Sequence, residues 1–252
     1  MKTKRKTLVI TRHGKTPINP ENNMSMDNLL DESVQSIHRN TGDSLRDFVV
    51  EYDVRPEDSF VKHSGKKRTV YTAKAILSGA FGLQFPQSEA DLDRLNLRDI
   101  NFSEDPMLSY EGIKSNTDKF FKDMSGYTNR WFADPDATQY DGVEITSFND
   151  LIKTRKNTLV DALGYMINGD KDLGILSTHG TIAEPLVMAA INSGRFGAPV
   201  TSFDQIGGQF DKEDYATITL DHNPRSDSYL ARIERDSLAY RVDVRKLIDT
   251  IE

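Results

Sequence analysis

Short apolar runs along this chain alternate with longer segments in which apolar and polar residues follow a helical period. Residues 7–11 and 173–177 are short, rich in β-branched and aliphatic side chains and bounded by polar residues, as buried strands are. Residues 58–63 are a third strand candidate, and the alternating stretches 215–220 and 229–233 predict two late strands. Helical periodicity predicts helices at residues 43–52, 68–77, 147–166 and 186–191.

Two of these helices follow a capping-box pattern, in which a Ser or Thr N-cap precedes an acidic or amide side chain by three residues. Ser147 and Asp150 form the first pattern, and Thr181 and Glu184 form the second. Strands that alternate with helices in this way predict an α/β protein. We expect a three-layer α/β/α sandwich around a largely parallel sheet.

The length of 252 residues fits a single α/β domain, and no internal repeat or low-complexity linker divides the chain. We therefore expect one domain over residues 1–252. Residues 92–140 are the least regular part and are rich in aromatic side chains. We expect this segment to be an excursion with one or two helices that packs over the end of the sheet.

Composition narrows the possible classes of function. The chain has 32 Lys and Arg against 39 Asp and Glu, a formal net charge of −7, which argues against a nucleic-acid partner. It contains no Cys, so disulfides, thiolate catalysis and Cys-ligated metal sites are excluded. The apolar run near the start, residues 8–10, is too short for a secretory signal. We expect a cytoplasmic protein without a membrane partner.

Two of the five histidines occupy the same unusual position in the sequence. His13 and His179 each follow an apolar strand and precede a glycine at the predicted start of a helix. Because the carboxyl ends of parallel strands meet at one sheet edge, we expect the two imidazoles to converge there. Helix N-termini favour anions, and Arg12 adds a planar cation suited to phosphate. The pattern therefore predicts a phosphate site with two imidazoles.

These residues carry a resemblance to a known family. Residues 12–19 (RHGKTPIN) resemble the R-H-G-x-T-x-x-N opening of the histidine phosphatase superfamily, which includes cofactor-dependent phosphoglycerate mutases. Residues 177–180 (STHG) are similar to the second-histidine motif of that superfamily. A lone RHG tripeptide is a weak signal, and the second motif, in family order, strengthens it.

Three further segments between these motifs also match in family order. Residues 64–73 (SGKKRTVYTA) resemble S-x-x-x-R-A-x-x-T-A, with Thr69 at the usual alanine. Residues 97–102 (LRDINF) are similar to L-x-E-x-x-F, with Asp99 at the acid position. Residues 142–155 resemble the G-x-E-S stretch and the helix arginine after it, with the serine displaced. The resemblance thus extends from residue 8 to about residue 190.

The resemblance implies a phosphoglycerate mutase-like fold and a phosphohistidine mechanism. His13 would attack phosphorus, and His179 would complete a cationic cage around the phosphoryl group. The family acid, which protonates the leaving oxygen, would be Asp99, with Glu184 as the alternative. The resemblance assigns phosphate binding to Arg12, Arg68, Asn19 and Gly180. No metal or cofactor is implied, because arginines and imidazoles supply the positive charge.

Several functions remain compatible with these motifs. We expect a metal-independent phosphomonoesterase acting on a small phosphorylated metabolite. A phosphoglycerate mutase is the main alternative, but the departures from the mutase pattern at Lys15, Ile18, 97–103 and Thr181 favour hydrolysis. A phosphatase for phosphohistidine on proteins is a further alternative, although an excursion over the site would restrict access to small esters. A catalytically inactive binding module is disfavoured, because both histidines and both arginines are present.

Overall fold

The computed structural model describes residues 5–14, 32–84, 88–110, 113, 119, 122–194, 198–211, 214–223 and 228–248. The strands in this part of the chain are β1 Arg5–Arg12, β2 Ser59–His63, β3 Asn101–Glu104, β4 Gln139–Tyr140, β5 Val143–Glu144, β6 Leu173–Thr178, β7 Tyr215–Asn223, β8 Ser228–Arg235 and β9 Leu238–Asp243. The α-helices are α1 Glu32–Tyr52, α2 Lys67–Ala80, α3 Glu89–Arg94, α4 Met124–Ala133, α5 Phe148–Asn168, α6 Ala183–Gly194 and α7 Val244–Ile248.

A seven-stranded sheet with the order β3-β2-β6-β1-β7-β8-β9 forms the centre of the fold. The strands β3, β2, β6 and β1 are parallel to one another. The strands β7, β8 and β9 continue the sheet in antiparallel fashion from β1. The predicted parallel sheet is thus the core of a mixed one, and its late part is joined by hairpins that need no crossover helix.

Alternate side chains of β1 enter two separate hydrophobic cores. Leu8 and Ile10 lie in the core that includes residues of α5 and α6. Val9 lies in the other core, which includes residues of α1 and α2. Because side chains of a strand alternate between the two faces of a sheet, helices cover both faces. This confirms the predicted three-layer α/β/α sandwich.

Several elements differ from the sequence prediction. The helix expected from residue 43 begins earlier, at Glu32. The edge strand β9 was not predicted, and only one of its six residues is buried. Residues 92–140 contain the expected helix, α4, but also the parallel strand β3. The sequence did not predict β3, because it has no long apolar run.

Of the two predicted capping boxes, the N-cap at Ser147 of α5 is present, and the N-cap at Thr181 before α6 is wrong. Ser147 Oγ accepts a hydrogen bond from the backbone N–H of Asp150 at 3.1 Å, as an N-cap does. The hydroxyl of Thr181 instead donates to the carbonyl oxygen of Gly180, and Glu184 reaches a distant loop. Thr181 has a φ of 60°, in the left-handed region, so its backbone lacks the extended geometry of an N-cap.

Among the described helices, none is long and apolar enough to cross a membrane.

Two glycines allow α1 and α2 to pack with their backbones in contact. A Cβ built on Gly42 would lie 2.4 Å from the carbonyl oxygen of Ile76 and 2.8 Å from Cα of Gly79. Both neighbouring atoms belong to the backbone, so a side chain at Gly42 cannot be accommodated by a change of rotamer. Because α2 supplies residues to the sheet edge described below, this close approach also fixes part of the site.

We predict opposite effects for the same substitution in two helices. Gly42→Ala should lower the free energy of unfolding by about 1–3 kcal/mol, because the added methyl group forces α1 and α2 apart. Gly164→Ala is the matched control in α5, where a Cβ meets nothing within 4 Å, and the better helix propensity of Ala should stabilise by up to about 1 kcal/mol. Urea unfolding of both variants measures the difference. Equal effects of the same sign would contradict this packing.

Candidate active site

The carboxyl ends of three parallel strands meet at one edge of the sheet. In register, Arg12 of β1 lies opposite Thr178 of β6, and His63 of β2 lies opposite Ser177. The residues that follow β1 and β6 are therefore neighbours, as the sequence pattern predicted. The rings of His13 and His179 have centroids 5.0 Å apart and meet edge to face, and the two side chains are only 6% and 1% exposed.

Hydrogen bonds fix the tautomers of both imidazoles. His13 Nδ1 lies 2.7 Å from the carbonyl oxygen of Gly14, which can only accept, so Nδ1 carries the proton and Nε2 keeps its lone pair. Arg68 Nη2 lies 3.4 Å from Nδ1 of His179, and a guanidinium can only donate. His179 therefore carries its proton on Nε2, which donates to Ser64 Oγ at 2.8 Å.

The start of α2 supplies a second set of residues to this edge. The backbone N–H of Gly14 donates to the hydroxyl of Thr72 at 3.1 Å, which ties the end of β1 to α2. Ser64 and Arg68 both contact His179, from either side of the turn between β2 and α2. Gly65 in that turn has a φ of 80°, a conformation that favours glycine.

Burial and neighbouring cations keep both imidazoles neutral. The pKa of His13 lies well below its usual value because of burial, with further contributions from His179 and Arg68. The pKa of His179 is also well below its usual value because of burial and the charges of Arg68 and Arg12. A neutral His13 with a free Nε2 lone pair is the form of imidazole that acts as a nucleophile.

Arg12 lies against the backbone of the second histidine motif. A Cβ built on Gly180 would lie 2.6 Å from Cζ of Arg12, so only glycine lets the guanidinium approach this closely. Arg12 Nη1 donates to the carbonyl oxygen of Phe210, and its buried Nε has no hydrogen-bond partner within the described residues. The structure thus brings Arg12 to the site, while phosphate binding by Gly180 stays a prediction. Asn19 lies outside the described residues.

A tyrosine that the sequence analysis did not assign to the site covers His179. The ring of Tyr110 stacks on the His179 ring with a centroid distance of 4.7 Å, and its hydroxyl donates to the carbonyl oxygen of Gly180 at 2.9 Å. Burial raises the pKa of Tyr110 to about 12, so the hydroxyl stays protonated. Tyr110 follows β3 within residues 92–140, so part of that segment does lie against the site.

The structure corrects the prediction that Asp99 is the general acid. Asp99 precedes β3, which runs parallel to β2 and begins opposite Phe60. The amino end of β3 lies at the edge of the sheet opposite to the two histidines. The side chain of Asp99 is 57% exposed, and its ion-pair partner there is the adjacent Arg98, at 3.8 Å. A carboxylate at this place cannot reach a leaving group bound near His13.

Glu104 occupies the position that Asp99 was expected to take. It is the last residue of β3 and lies in register with His63, at the end of the sheet where the two histidines lie. A Cβ built on Gly65 would lie 2.3 Å from Glu104 Oε1, so this exposed carboxylate lies over the turn that leads to Arg68. The sequence held a signal for it, because the L-x-E pattern can also be placed with Phe102 at its apolar position.

The alternative acid, Glu184, lies on the inner side of the site. Its side chain is fully buried, and Oε1 accepts a hydrogen bond from the backbone N–H of Phe210 at 2.7 Å. Burial raises the pKa of Glu184.

No group of three or more His, Cys, Asp or Glu side chains that could hold a metal ion occurs in the described part of the chain.

Comparison with known proteins bears on the fold. Neither a protein-family model nor a curated protein matches the chain. A solved mycobacterial structure named hydrolase 2 is 16% identical, with a TM-score of 0.50 over 98% of this chain and 98% of that one. The alpha-ribazole phosphatase of Shigella flexneri is 17% identical, with a TM-score of 0.48 over 95% of this chain and 96% of that one. A phosphoglycerate mutase from Bacillus anthracis is 14% identical, with a TM-score of 0.47 over 99% and 98%.

At these identities the likeness concerns the fold alone. The chain has a three-layer α/β/α fold like that of the mycobacterial hydrolase 2 structure, and this is the arrangement of layers that the sequence predicted. The predicted fold class is therefore confirmed. A fold of this kind supports many functions, so the function depends on the residues of the site.

The lowered pKa values of the two histidines predict a loss of stability in mild acid. Below about pH 6.5, the usual histidine pKa, the unfolded chain binds protons that buried His13 and His179 do not, so stability falls as the pH falls. Each histidine contributes up to about 1.4 kcal/mol per pH unit. Urea unfolding at pH 7.5 and 5.5 should therefore show a smaller pH-dependent loss for His13→Asn than for the unsubstituted chain. An unchanged pH dependence would show that His13 titrates normally in the folded protein.

Proposed function

We propose that this chain is a phosphomonoesterase that works through a phosphohistidine intermediate. The observation that carries the proposal is the buried, neutral His13, whose Nδ1 is engaged by Gly14 and whose Nε2 keeps its lone pair beside His179. Arg12 and Arg68 flank the two rings and supply the positive charge that a transferring phosphoryl group requires. A role in phosphate binding for Asn19 and Gly180 remains part of this proposal.

The reaction proceeds in two displacements at phosphorus. In the first, His13 Nε2 attacks, the bond between phosphorus and the ester oxygen breaks, and Glu104 donates a proton to the leaving oxygen. In the second, a water molecule attacks the phosphohistidine, Glu104 takes one of its protons, and the bond between phosphorus and Nε2 breaks. Inorganic phosphate leaves, and both residues return to their starting forms.

The surroundings of Glu104 favour hydrolysis over transfer to a second substrate. The carboxylate of Glu104 is exposed to solvent. A water molecule can therefore reach Glu104, which in this mechanism activates that water for attack. A mutase instead has to keep its phosphoenzyme away from water. On the other side of the site, Tyr110 covers His179 and narrows access from the 92–140 segment. We infer that the substrates are small phosphate esters rather than phosphorylated proteins.

The first prediction of this mechanism concerns the nucleophile. His13→Ala should abolish release of phosphate from a panel of phosphorylated metabolites, because the neighbouring His179 has both ring nitrogens engaged by Ser64 and Arg68 and cannot replace it as the nucleophile. Brief incubation with labelled substrate, followed by acid quench and peptide mapping, should place an acid-labile phosphate on His13 of the unsubstituted protein. His222→Ala is the control, since His222 lies in β7 and packs on Tyr229. An acid-stable label on a serine or an aspartate would contradict the mechanism.

The second prediction separates the two candidate acids. Glu104→Gln should lower turnover of alkyl phosphates by roughly 10²–10⁴-fold, the usual span of general acid catalysis. Aryl phosphates should be affected less in the phosphorylation step, because good leaving groups need little protonation. Asp99→Asn, the same change at the opposite edge of the sheet, should behave as the unsubstituted enzyme does on both substrates. A selective loss in Asp99→Asn, with Glu104→Gln unaffected, would overturn the assignment.

A further inference from the structure

The guanidinium of Arg12 is held by a loop that sequence motifs do not assign to the site. Arg12 Nη1 donates to the carbonyl oxygen of Phe210, at the end of residues 206–210. Phe210 is fully buried, and its backbone N–H is taken by Glu184. The direction of the Arg12 side chain therefore depends on where one backbone carbonyl is held.

Arg235 fixes the rest of this loop. Its Nη1 donates to the carbonyl oxygens of Ile206 and Gly208 at 3.0 and 2.6 Å, and its Nη2 donates to that of Gln209 at 3.0 Å. Cζ of Arg235 also lies 3.9 Å above the centre of the Phe210 ring. The side chain is only 4% exposed, so these bonds form out of contact with bulk water, where they are strong.

Arg235 also contacts a second segment, at Asp214, whose backbone accepts a hydrogen bond from Arg12. Arg235 Nη2 lies 3.2 Å from Asp214 Oδ2, and the backbone carbonyl oxygen of Asp214 accepts the N–H of Arg12 at 3.1 Å. Arg235 thus ties together the two backbone segments that receive hydrogen bonds from Arg12. No lysine could do this, because a single ammonium group lacks the planar fork of donors.

Glu184 completes the support from the opposite direction. Its Oε1 accepts the only backbone donor that Phe210 has, which leaves the Phe210 carbonyl oxygen directed at Arg12. Glu184 belongs to the first turn of α6, which directly follows the His179 motif. The hydrogen bond from Phe210 to Glu184 thereby fixes the position of this loop relative to the His179 motif.

We propose that Glu184 and Arg235 are positioning residues for Arg12 and set the affinity of the site for the phosphoryl group. Neither side chain touches the substrate, and both act through the two backbone segments that accept hydrogen bonds from Arg12. The proposal rests on the function proposed above, in which Arg12 binds phosphoryl oxygens. A binding group on a flexible side chain is effective when it is held in place beforehand, since a misplacement of about 1 Å can cost about a hundredfold.

A double-mutant cycle tests whether the two residues act through Arg12. The measurement is the Kd for orthovanadate and for inorganic phosphate by calorimetry. We expect Arg235→Lys and Glu184→Ala each to weaken binding by about tenfold. In an Arg12→Met background, both substitutions should have no further effect, because the group that they position is gone. In turnover, KM for the ester should rise in Arg235→Lys and Glu184→Ala.

Two further variants separate positioning from general stability. Glu184→Gln keeps an oxygen that can accept the Phe210 N–H, so it should bind phosphate as the unsubstituted protein does. Lys6→Met removes a cation of equal burial at the other end of β1, where Lys6 bonds the carbonyl oxygen of Lys171 and Asp172. It should lower the melting temperature without changing the phosphate Kd.

The outcomes distinguish this inference from the proposed function. If Arg235→Lys and Glu184→Ala weaken phosphate binding equally in the presence and absence of Arg12, the two residues do not act through Arg12 and the inference is wrong. If neither weakens binding although Arg12→Met does, it is also wrong. If the unsubstituted protein binds neither anion, or Arg12→Met binds them equally well, the proposed phosphate site itself is refuted.

Discussion

The parallel pairing of β1 with β6 is the constraint on which the site depends. Its register sets Arg12 opposite Thr178, so the residues that follow the two strands leave the sheet side by side. A shift of one residue would turn Leu8 and Ile10 from one core to the other and separate the two imidazoles. Because both faces of the sheet are buried beneath helices, the register is strongly determined. Packing far from the edge thus places His13 beside His179.

Burial also determines the protonation state of the two histidines at this edge. Removing His13 and His179 from water, among arginines, keeps both imidazoles neutral at physiological pH. The same low exposure makes each hydrogen bond to Gly14, Ser64 and Arg68 more effective in fixing a tautomer. Glu104, the proposed acid, lies by contrast on an exposed strand end that water can reach. A buried nucleophile and an exposed acid suit a reaction in two steps.

The sequence predicted three of the four parallel strands, β1, β2 and β6, and the two strand-end histidines, because short apolar runs and the His-Gly pairs that follow two of them are local signals. It did not predict which acid joins them. Residues 97–104 allow two placements of one short motif, and only the pairing of β3 with β2 shows that Glu104, not Asp99, lies at the same end of the sheet as the two histidines. The partner of Glu184 was equally hidden, since Phe210 is distant in sequence and offers only its backbone.

In the proposed reaction the phosphoryl group is transferred twice, first to His13 and then to water. The stereochemical course of the reaction tests it most directly. A phosphorothioate ester with isotopically chiral phosphorus, hydrolysed in isotopically labelled water, should give product with retained configuration, because two in-line displacements each invert the centre. Inversion would mean that water attacks the ester directly, and it would contradict the role of His13 as the nucleophile.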